Sequence, residues 1–236
     1  MLRPLLLALL SFPLLAADRS ACDRSVYYIL RGQYDAALKQ LEGAKTSGGS
    51  PAAVENLRGL ALLMKGDTAK AIAAFDRALA IEPLPEARLN RGLALLQLSK
   101  FNDASAEFAK VYADEKSTIR ADAAYHNAIA LDRLGKNADA ETWLDRALAL
   151  NAKLDAALLY AGMLRERRGD LQGAGRAYLE YLKLHPDSVT AMLRFGISAQ
   201  RAGSTDTAKS YLQRVIQLAP QSPEAVEARK YLVLWD

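Results

Sequence analysis

Residues 66–83, GDTAKAIAAFDRALAIEP, decide the fold of this chain. They carry small residues at Ala71 and Ala78, an aromatic residue between them at Phe75, and a proline at the end. Three later segments have nearly the same pattern: GKNADAETWLDRALALNA at 135–152, GDLQGAGRAYLEYLKLHP at 169–186 and GSTDTAKSYLQRVIQLAP at 203–220. A pattern that recurs in this way indicates a repeated structural unit rather than a catalytic motif.

The repeat can be followed through its small residues. One alanine recurs at a nearly constant spacing, as Ala37, Ala71, Ala104, Ala140, Ala174 and Ala208. A small residue lies twelve positions before each: Ser25, Gly59, Gly92, Ala128, Gly162 and Gly196. A turn residue lies five positions before each: Gly32, Gly66, Ser99, Gly135, Gly169 and Gly203. The chain therefore contains six units in register.

Each unit is predicted to be a helix, a tight turn and a second helix. Glycine suits the left-handed position just after a helix, and the aspartate that follows, Asp67 or Asp170, can accept hydrogen bonds from the next helix's amides. Two helices approach closely only where side chains are small. Gly59 and Ala71 are expected to leave that room, with Phe75 filling the gap one turn further on.

These offsets resemble those of the tetratricopeptide repeat family, whose unit of about 34 residues has small and aromatic residues at such positions. The resemblance covers residues 18–220 and implies an all-α, right-handed α-solenoid of about six helix-turn-helix units. The predicted units are 18–51, 52–84, 85–120, 121–154, 155–188 and 189–221. A C-terminal capping helix is expected over 222–236, because Ser222 can cap it and Pro223 suits its first position.

Composition agrees with a helical fold. The chain of 236 residues is 51% hydrophobic, 25% charged and only 7% aromatic, which favours helices over an extensive sheet. Its 31 basic and 27 acidic residues are interleaved, without the basic cluster that follows a phosphate backbone. We therefore expect no nucleic-acid binding.

The first seventeen residues, MLRPLLLALLSFPLLAA, have the layout of a secretory signal peptide. Arg3 precedes an apolar run, and the small residues Ala16 and Ala17 end it. The run is shorter than the roughly 20 residues that span a membrane. We predict cleavage after Ala17 and a periplasmic or secreted chain that is not inserted in the membrane.

Cys22 is the only cysteine, so no internal disulfide can form. Lipoprotein signals resemble an apolar residue and two small residues directly before the cysteine. Arg19 occupies the place of the apolar residue, so we expect no lipid anchor at Cys22.

Catalytic and metal-binding patterns are not found in the sequence. His126 and His185 lie in different predicted units, far from Cys22, which suggests neither a metal site nor a Cys/His pair. No glycine-rich phosphate loop follows a strand. We therefore predict no catalytic residue, metal or cofactor, and a protein that is not an enzyme. An enzyme that uses His126 is the least favoured hypothesis, and His185 is expected to be a solvated loop residue.

The family resemblance implies that the first helices of the units line a concave groove for peptides or partner helices. The candidate groove residues are Leu60, Leu63, Met64, Leu93, Leu96, Gln97, His126, Arg133, Arg167 and Arg201. The three arginines recur at the same position of three successive units, and planar guanidinium groups suit an acidic partner. Two alternatives stay open: the apolar residues can pack between helices, and the arginines can form ordinary surface ion pairs.

These observations predict a non-catalytic scaffold or adaptor in the bacterial cell envelope, which binds a peptide or an amphipathic helix of a partner protein. Small exported six-repeat proteins of similar layout serve in pilus-secretin assembly, so the resemblance implies envelope or pilus assembly. The alternative is a structural subunit that self-associates through the apolar N-terminal part of the groove.

Overall fold

A computed structural model of the chain describes residues 19–44 and 50–233. The predicted signal peptide, 1–17, and the last three residues of the predicted capping helix lie outside the described residues. In the two described ranges the regular structure is α-helical, with no strand. The helices are α1 (Arg19–Leu30), α2 (Tyr34–Ala44), α3 (Pro51–Lys65), α4 (Thr68–Ile81), α5 (Pro85–Gln97), α6 (Phe101–Ala113), α7 (Arg120–Arg133), α8 (Asn137–Leu150), α9 (Asp155–Arg168), α10 (Leu171–Leu184), α11 (Val189–Arg201), α12 (Thr205–Leu218) and α13 (Pro223–Leu232).

The order of these helices confirms the predicted all-α repeat fold. Helices α1 to α12 follow one another as six helix-turn-helix pairs, and α13 packs against α12. Neighbouring pairs also pack together, as α4 does against α5 and α10 against α11. A single pair cannot bury its apolar face alone, so each pair depends on its neighbours for a core.

The chain divides into two compact units, and the boundary falls inside α8. The N-terminal unit ends at Trp143 and the C-terminal unit begins at Leu144. Phe75 and Phe108 are fully buried in the core of the N-terminal unit. Tyr178, Met192 and Leu212 occupy the core of the C-terminal unit.

The turn residues adopt the backbone conformation that the sequence predicts. Gly66 has φ +98°, and its N–H donates to the carbonyl oxygens of Leu62 and Leu63, which ends α3. Ser99 stands where the other units have glycine, and its φ of +58° is the only positive value among the non-glycine residues that the structure describes. A non-glycine residue in the left-handed region costs about 1 to 2 kcal/mol. The turn nevertheless keeps its left-handed conformation here, although serine replaces glycine.

Small residues and rings interlock where the two helices of a pair cross. A methyl group added at Gly59 would lie 2.4 Å from Cε1 of Phe75, which is closer than two carbon atoms can pack. The same relation joins Gly92 to Phe108, at 2.5 Å. Helices α3 and α5 can therefore approach α4 and α6 closely because each presents a glycine, with no side chain, to the ring.

Two of the three predicted helix caps form. The Asp170 carboxylate accepts from the Gly173 N–H at 2.9 Å, and the Ser222 hydroxyl accepts from the Ala225 N–H at 3.1 Å, starting α13. Asp67 makes no capping hydrogen bond. Its carboxylate instead lies 3.4 Å from the ammonium of Lys70, one turn along α4.

Candidate functional site

The most distinctive polar cluster of the C-terminal unit lies between α9 and α11, the first helices of their pairs. Glu166 comes from α9, and Arg194 and Arg201 come from α11. The two arginines are separated by about two helical turns, so they project from the same side of their helix. The repeat stacks α11 beside α9, and this brings both arginines to the same carboxylate.

Glu166 lies at the bottom of this cluster, with only 8% of its surface exposed. The Tyr178 hydroxyl donates a hydrogen bond of 2.8 Å to Oε2 of Glu166. Burial, and then this hydrogen bond, raise the pKa of the Tyr178 hydroxyl far above its ordinary value, so the phenol stays protonated as the donor. Nη1 of Arg194 and Nη1 of Arg201 each lie 3.7 Å from Oε1 of Glu166.

A cavity of about 230 Å³ opens above this carboxylate. We call it the arginine pocket, and it is lined by Met163, Glu166, Arg167, Arg194 and Arg201. Three guanidinium groups and one carboxylate give the lining a formal charge of +2. The Arg194 and Arg201 side chains are 44% and 50% exposed, and Met163, 40% exposed, adds an apolar wall. The arginine pocket can hold an anionic group beside an apolar one.

The arginine pocket contains two of the residues that the sequence singles out, Arg167 and Arg201. Arg194 was not predicted, because the equivalent position of the preceding unit is Tyr160 and the repeat shows no recurring charge there. The two-turn spacing between Arg194 and Arg201 is a signal that could have found it. Arg133 is exposed and belongs to the N-terminal unit, outside the lining of the arginine pocket.

The apolar candidates of the N-terminal unit lie largely in its core. Leu60 and Leu63 are each 2% exposed, and Leu93 is 8% exposed. These three side chains fill the space between helices and are not available to a partner in this structure, in agreement with the packing alternative. Met64 and Leu96 are half-buried against the same core clusters, and Gln97 is exposed.

His126 is half-buried between two aromatic rings. The centroid of its ring lies 5.6 Å from that of Phe108 and 4.8 Å from that of Tyr125. Burial lowers the pKa of His126 to about 4, so the imidazole is neutral near pH 7. Its aromatic contacts give it a packing role in the N-terminal unit.

His185 follows the end of α10 in a loop, as the sequence suggests, and its side chain is 43% exposed, but it also has partners. Its Nε2 lies 3.0 Å from Oδ2 of Asp155, and its ring stacks on Tyr181 with 4.6 Å between the centroids. It therefore links the end of α10 to the start of α9. The His185–Pro186 dipeptide marks the end of a helix, but it does not reveal a partner at the start of another one.

A larger cavity, of about 520 Å³, lies in the N-terminal unit at the ends of α2 and α4 and the start of α3. Its lining is mainly apolar and includes Val54 and Ile81, with an ion pair of 2.8 Å between Glu55 and Arg77. None of the predicted groove residues lines it.

The described residues contain no group of three or more His, Cys, Asp or Glu side chains placed to hold a metal ion. No helix in 19–44 or 50–233 has both the length and the apolar character needed to cross a membrane. Cys22 is 3% exposed and packs in the core around α1.

Loss of the Tyr178 hydroxyl is expected to lower the free energy of unfolding, because this hydroxyl donates a hydrogen bond to Glu166 of the arginine pocket. Tyr178→Phe keeps the ring but leaves the buried Glu166 carboxylate without its hydrogen-bond donor. We expect the free energy of unfolding to fall by about 1.5 kcal/mol, measured by urea denaturation. Tyr211→Phe is the control, because no hydrogen bond from the Tyr211 hydroxyl occurs within the part of the chain that the structure describes. Equal losses for both variants would contradict a supporting role for the hydroxyl.

Comparison with known proteins identifies the family. One tetratricopeptide repeat model matches residues 22–88, 89–155 and 127–189, and a second matches 190–222. These matches span most of the sequence, and the chain belongs to the tetratricopeptide repeat family. No curated protein sequence matches it.

Several solved structures have a similar fold. The crystal structure of PilW, described as a widely conserved type IV pilus biogenesis factor, has a TM-score of 0.78 at 22% identity, covering 91% of this chain and 98% of that one. Pseudomonas aeruginosa PilF gives 0.77 at 19% identity, with coverage of 91% and 97%. YrrB, a tetratricopeptide repeat protein described as having an unusual peptide-binding site, gives 0.61 at 21% identity, with coverage of 81% and 96%.

Proposed function

We propose that this chain is a non-catalytic scaffold of the bacterial cell envelope that binds a segment of a partner protein on the first-helix face of its C-terminal unit. The arginine pocket is the observation that carries the proposal. It combines exposed positive charge, an apolar wall at Met163 and a buried carboxylate, Glu166, that Tyr178 holds in place. These features suit a polypeptide segment. Membership of a family of helical repeat proteins supports binding without catalysis.

Two further observations support the cellular setting. Residues 1–17 have the layout of an export signal, and PilW, of similar fold, is described as a type IV pilus biogenesis factor. The YrrB structure, with its peptide-binding site, supports a peptide or helix as the ligand. We therefore place the scaffold in the periplasm, with a role in envelope or pilus assembly.

The alternative, a self-associating structural subunit, depends on an exposed apolar surface in the N-terminal unit. Of the apolar candidates for that surface, Leu60, Leu63 and Leu93 are buried, whereas Met64 and Leu96 are half-buried. The size of the purified mature protein in solution tests this alternative directly. A monomer agrees with the scaffold, and a stable oligomer favours the structural subunit.

A crosslinking pull-down from envelope extract tests the scaffold. The mature chain is compared with the double variant Arg194→Gln/Arg201→Gln, which removes positive charge from the arginine pocket without burying a new charge. Arg214→Gln, an exposed change on α12, is the matched control. We expect a protein that the parent and Arg214→Gln both capture and that the double variant does not, with thermal midpoints confirming that all three are folded. Capture of the same proteins by all three would overturn the proposal.

A further inference from the structure

Resting on the proposed function, we infer that the arginine pocket binds an acidic side chain of the partner segment, that an apolar residue beside it packs on Met163, and that Glu166 competes with that acidic side chain. The inference identifies the chemistry of the partner and gives Glu166 a role of its own. It follows from the geometry of the two arginines, the position of Glu166 and the nature of the pocket wall.

Arg194 and Arg201 have the capacity for a second carboxylate. Each approaches Glu166 only at 3.7 Å, which is longer than a hydrogen bond between nitrogen and oxygen. A guanidinium group has five N–H donors, and roughly half of each of these side chains is exposed. An incoming carboxylate can therefore form the short, charge-assisted hydrogen bonds that Glu166 does not form.

Glu166 is held away from the opening of the arginine pocket. It is 8% exposed, and the Tyr178 hydroxyl holds Oε2 from below at 2.8 Å. This hydrogen bond and the depth of the side chain keep the carboxylate at the floor, where it neutralises part of the positive charge. It thereby lowers the attraction for any second carboxylate placed above it.

Met163 sets the second requirement on the ligand. It lies one helical turn before Glu166 on α9, lines the arginine pocket and is 40% exposed. Methionine side chains adapt to apolar partners of different shape. A cavity of about 230 Å³ accommodates one acidic side chain and part of a neighbouring apolar one. The expected ligand is therefore a segment in which Asp or Glu lies next to a residue such as Leu, Ile or Phe.

Substitutions on the two sides of the ion pair have opposite expected effects. Arg194→Gln/Arg201→Gln removes two guanidinium groups, with their positive charge and their hydrogen-bond donors, and is expected to weaken binding of an acidic peptide. Glu166→Gln keeps an oxygen that accepts from Tyr178 and raises the formal charge of the arginine pocket from +2 to +3. It should tighten binding. A merely structural role for Glu166 would give weaker binding or none.

The experiment is selection from a random peptide display library on the mature chain, with counter-selection on Arg194→Gln/Arg201→Gln. We expect the enriched peptides to carry Asp or Glu beside an apolar residue. Fluorescence anisotropy then measures one enriched peptide and its counterpart in which Gln or Asn replaces the acidic residue. We expect the Kd to rise about tenfold, equivalent to about 1.4 kcal/mol, both for the amide peptide and for the double variant.

Four further measurements complete the test. Glu166→Gln should lower the Kd of the acidic peptide about threefold, and Arg214→Gln should leave it unchanged. Added salt should weaken binding, since exposed charges are screened. Inorganic phosphate should not displace the peptide at equal concentration, because it lacks the apolar contact. Equal binding of both peptides, weaker binding to Glu166→Gln, or displacement by phosphate would overturn the inference.

The two proposals can fail separately. A partner captured through the arginines, together with enriched peptides that are not acidic, would refute the inferred chemistry and leave the scaffold standing. Acidic peptides that bind as expected, with no arginine-dependent partner in the envelope extract, would refute the scaffold and keep the inferred chemistry of the arginine pocket.

Discussion

Phe75→Ala is expected to lower the free energy of unfolding by about 3 to 5 kcal/mol. The Phe75 ring is fully buried in α4, and it belongs to the core cluster that joins the second and third helix pairs of the N-terminal unit. Removing the ring takes away its apolar contacts and leaves a cavity between rigid helices. Urea denaturation followed by circular dichroism measures the loss.

A second substitution tests whether the ring and the glycine fit each other. Gly59→Ala alone should be destabilising, since its methyl group would lie 2.4 Å from Cε1 of Phe75, and overpacking costs about 1 to 3 kcal/mol. In the Phe75→Ala background the same methyl meets no ring. Alanine is the better helix former by about 1 kcal/mol, so Gly59→Ala should then be neutral or stabilising.

Gly162→Ala provides the matched control for this cycle. Its methyl would lie 2.4 Å from Cε1 of Tyr178, in the C-terminal unit, so the cost of Gly162→Ala should be about the same with and without Phe75. Distant pairs are additive within about 0.5 kcal/mol, whereas residues in contact are coupled more strongly. A cost of Gly59→Ala that does not change when Phe75 is removed would show that the crossing can relax around the methyl group.

The helix crossings could be predicted from the sequence because they depend on residue size at fixed spacing. Small residues at the positions of Gly59 and Ala71 recur in register along the chain. A glycine that faces a ring, as Gly59 faces Phe75, lets the two helices pack closely. The turn at Ser99 could be predicted for the same reason, since its place in the repeat required a left-handed residue. These features are local to one helix pair.

The candidate site could be predicted only in part. The period of the repeat identified Arg167 and Arg201, but Arg194 has no basic counterpart one unit earlier. The apolar candidates show a second limit, because a leucine on a groove and a leucine between helices have the same helical spacing. Leu60 and Leu63 are buried, and only the packing of the neighbouring helices in the structure shows this.

The burial of Glu166 also could not be predicted from the sequence. The sequence left open ordinary surface ion pairs for the arginines, whereas the structure places the buried Glu166 beside Arg194 and Arg201. Its hydrogen-bond partner is Tyr178 of the following helix, α10. The same tyrosine takes the ring position beside Gly162, with 2.4 Å from an added methyl group to its Cε1. Tyr178 thus supports both the helix crossing and the arginine pocket.

Acid is expected to destabilise the chain through His126. Burial lowers the pKa of His126 in the folded protein to about 4, whereas the pKa of an unfolded histidine is about 6.5. Between these values the unfolded state binds a proton that the folded state does not, so the free energy of unfolding falls as the pH falls. From about pH 7.5 to about pH 5 the contribution of His126 is a loss of about 2 kcal/mol, and the loss is complete below about pH 4.

The His126→Gln variant isolates this effect, because it removes the titration of His126 and retains every other group, including His185. Urea denaturation of both proteins at about pH 7.5 and about pH 5 should show the parent losing about 2 kcal/mol more than the variant. Equal losses would mean that the imidazole accepts a proton in the folded state, through solvent that reaches it between Phe108 and Tyr125.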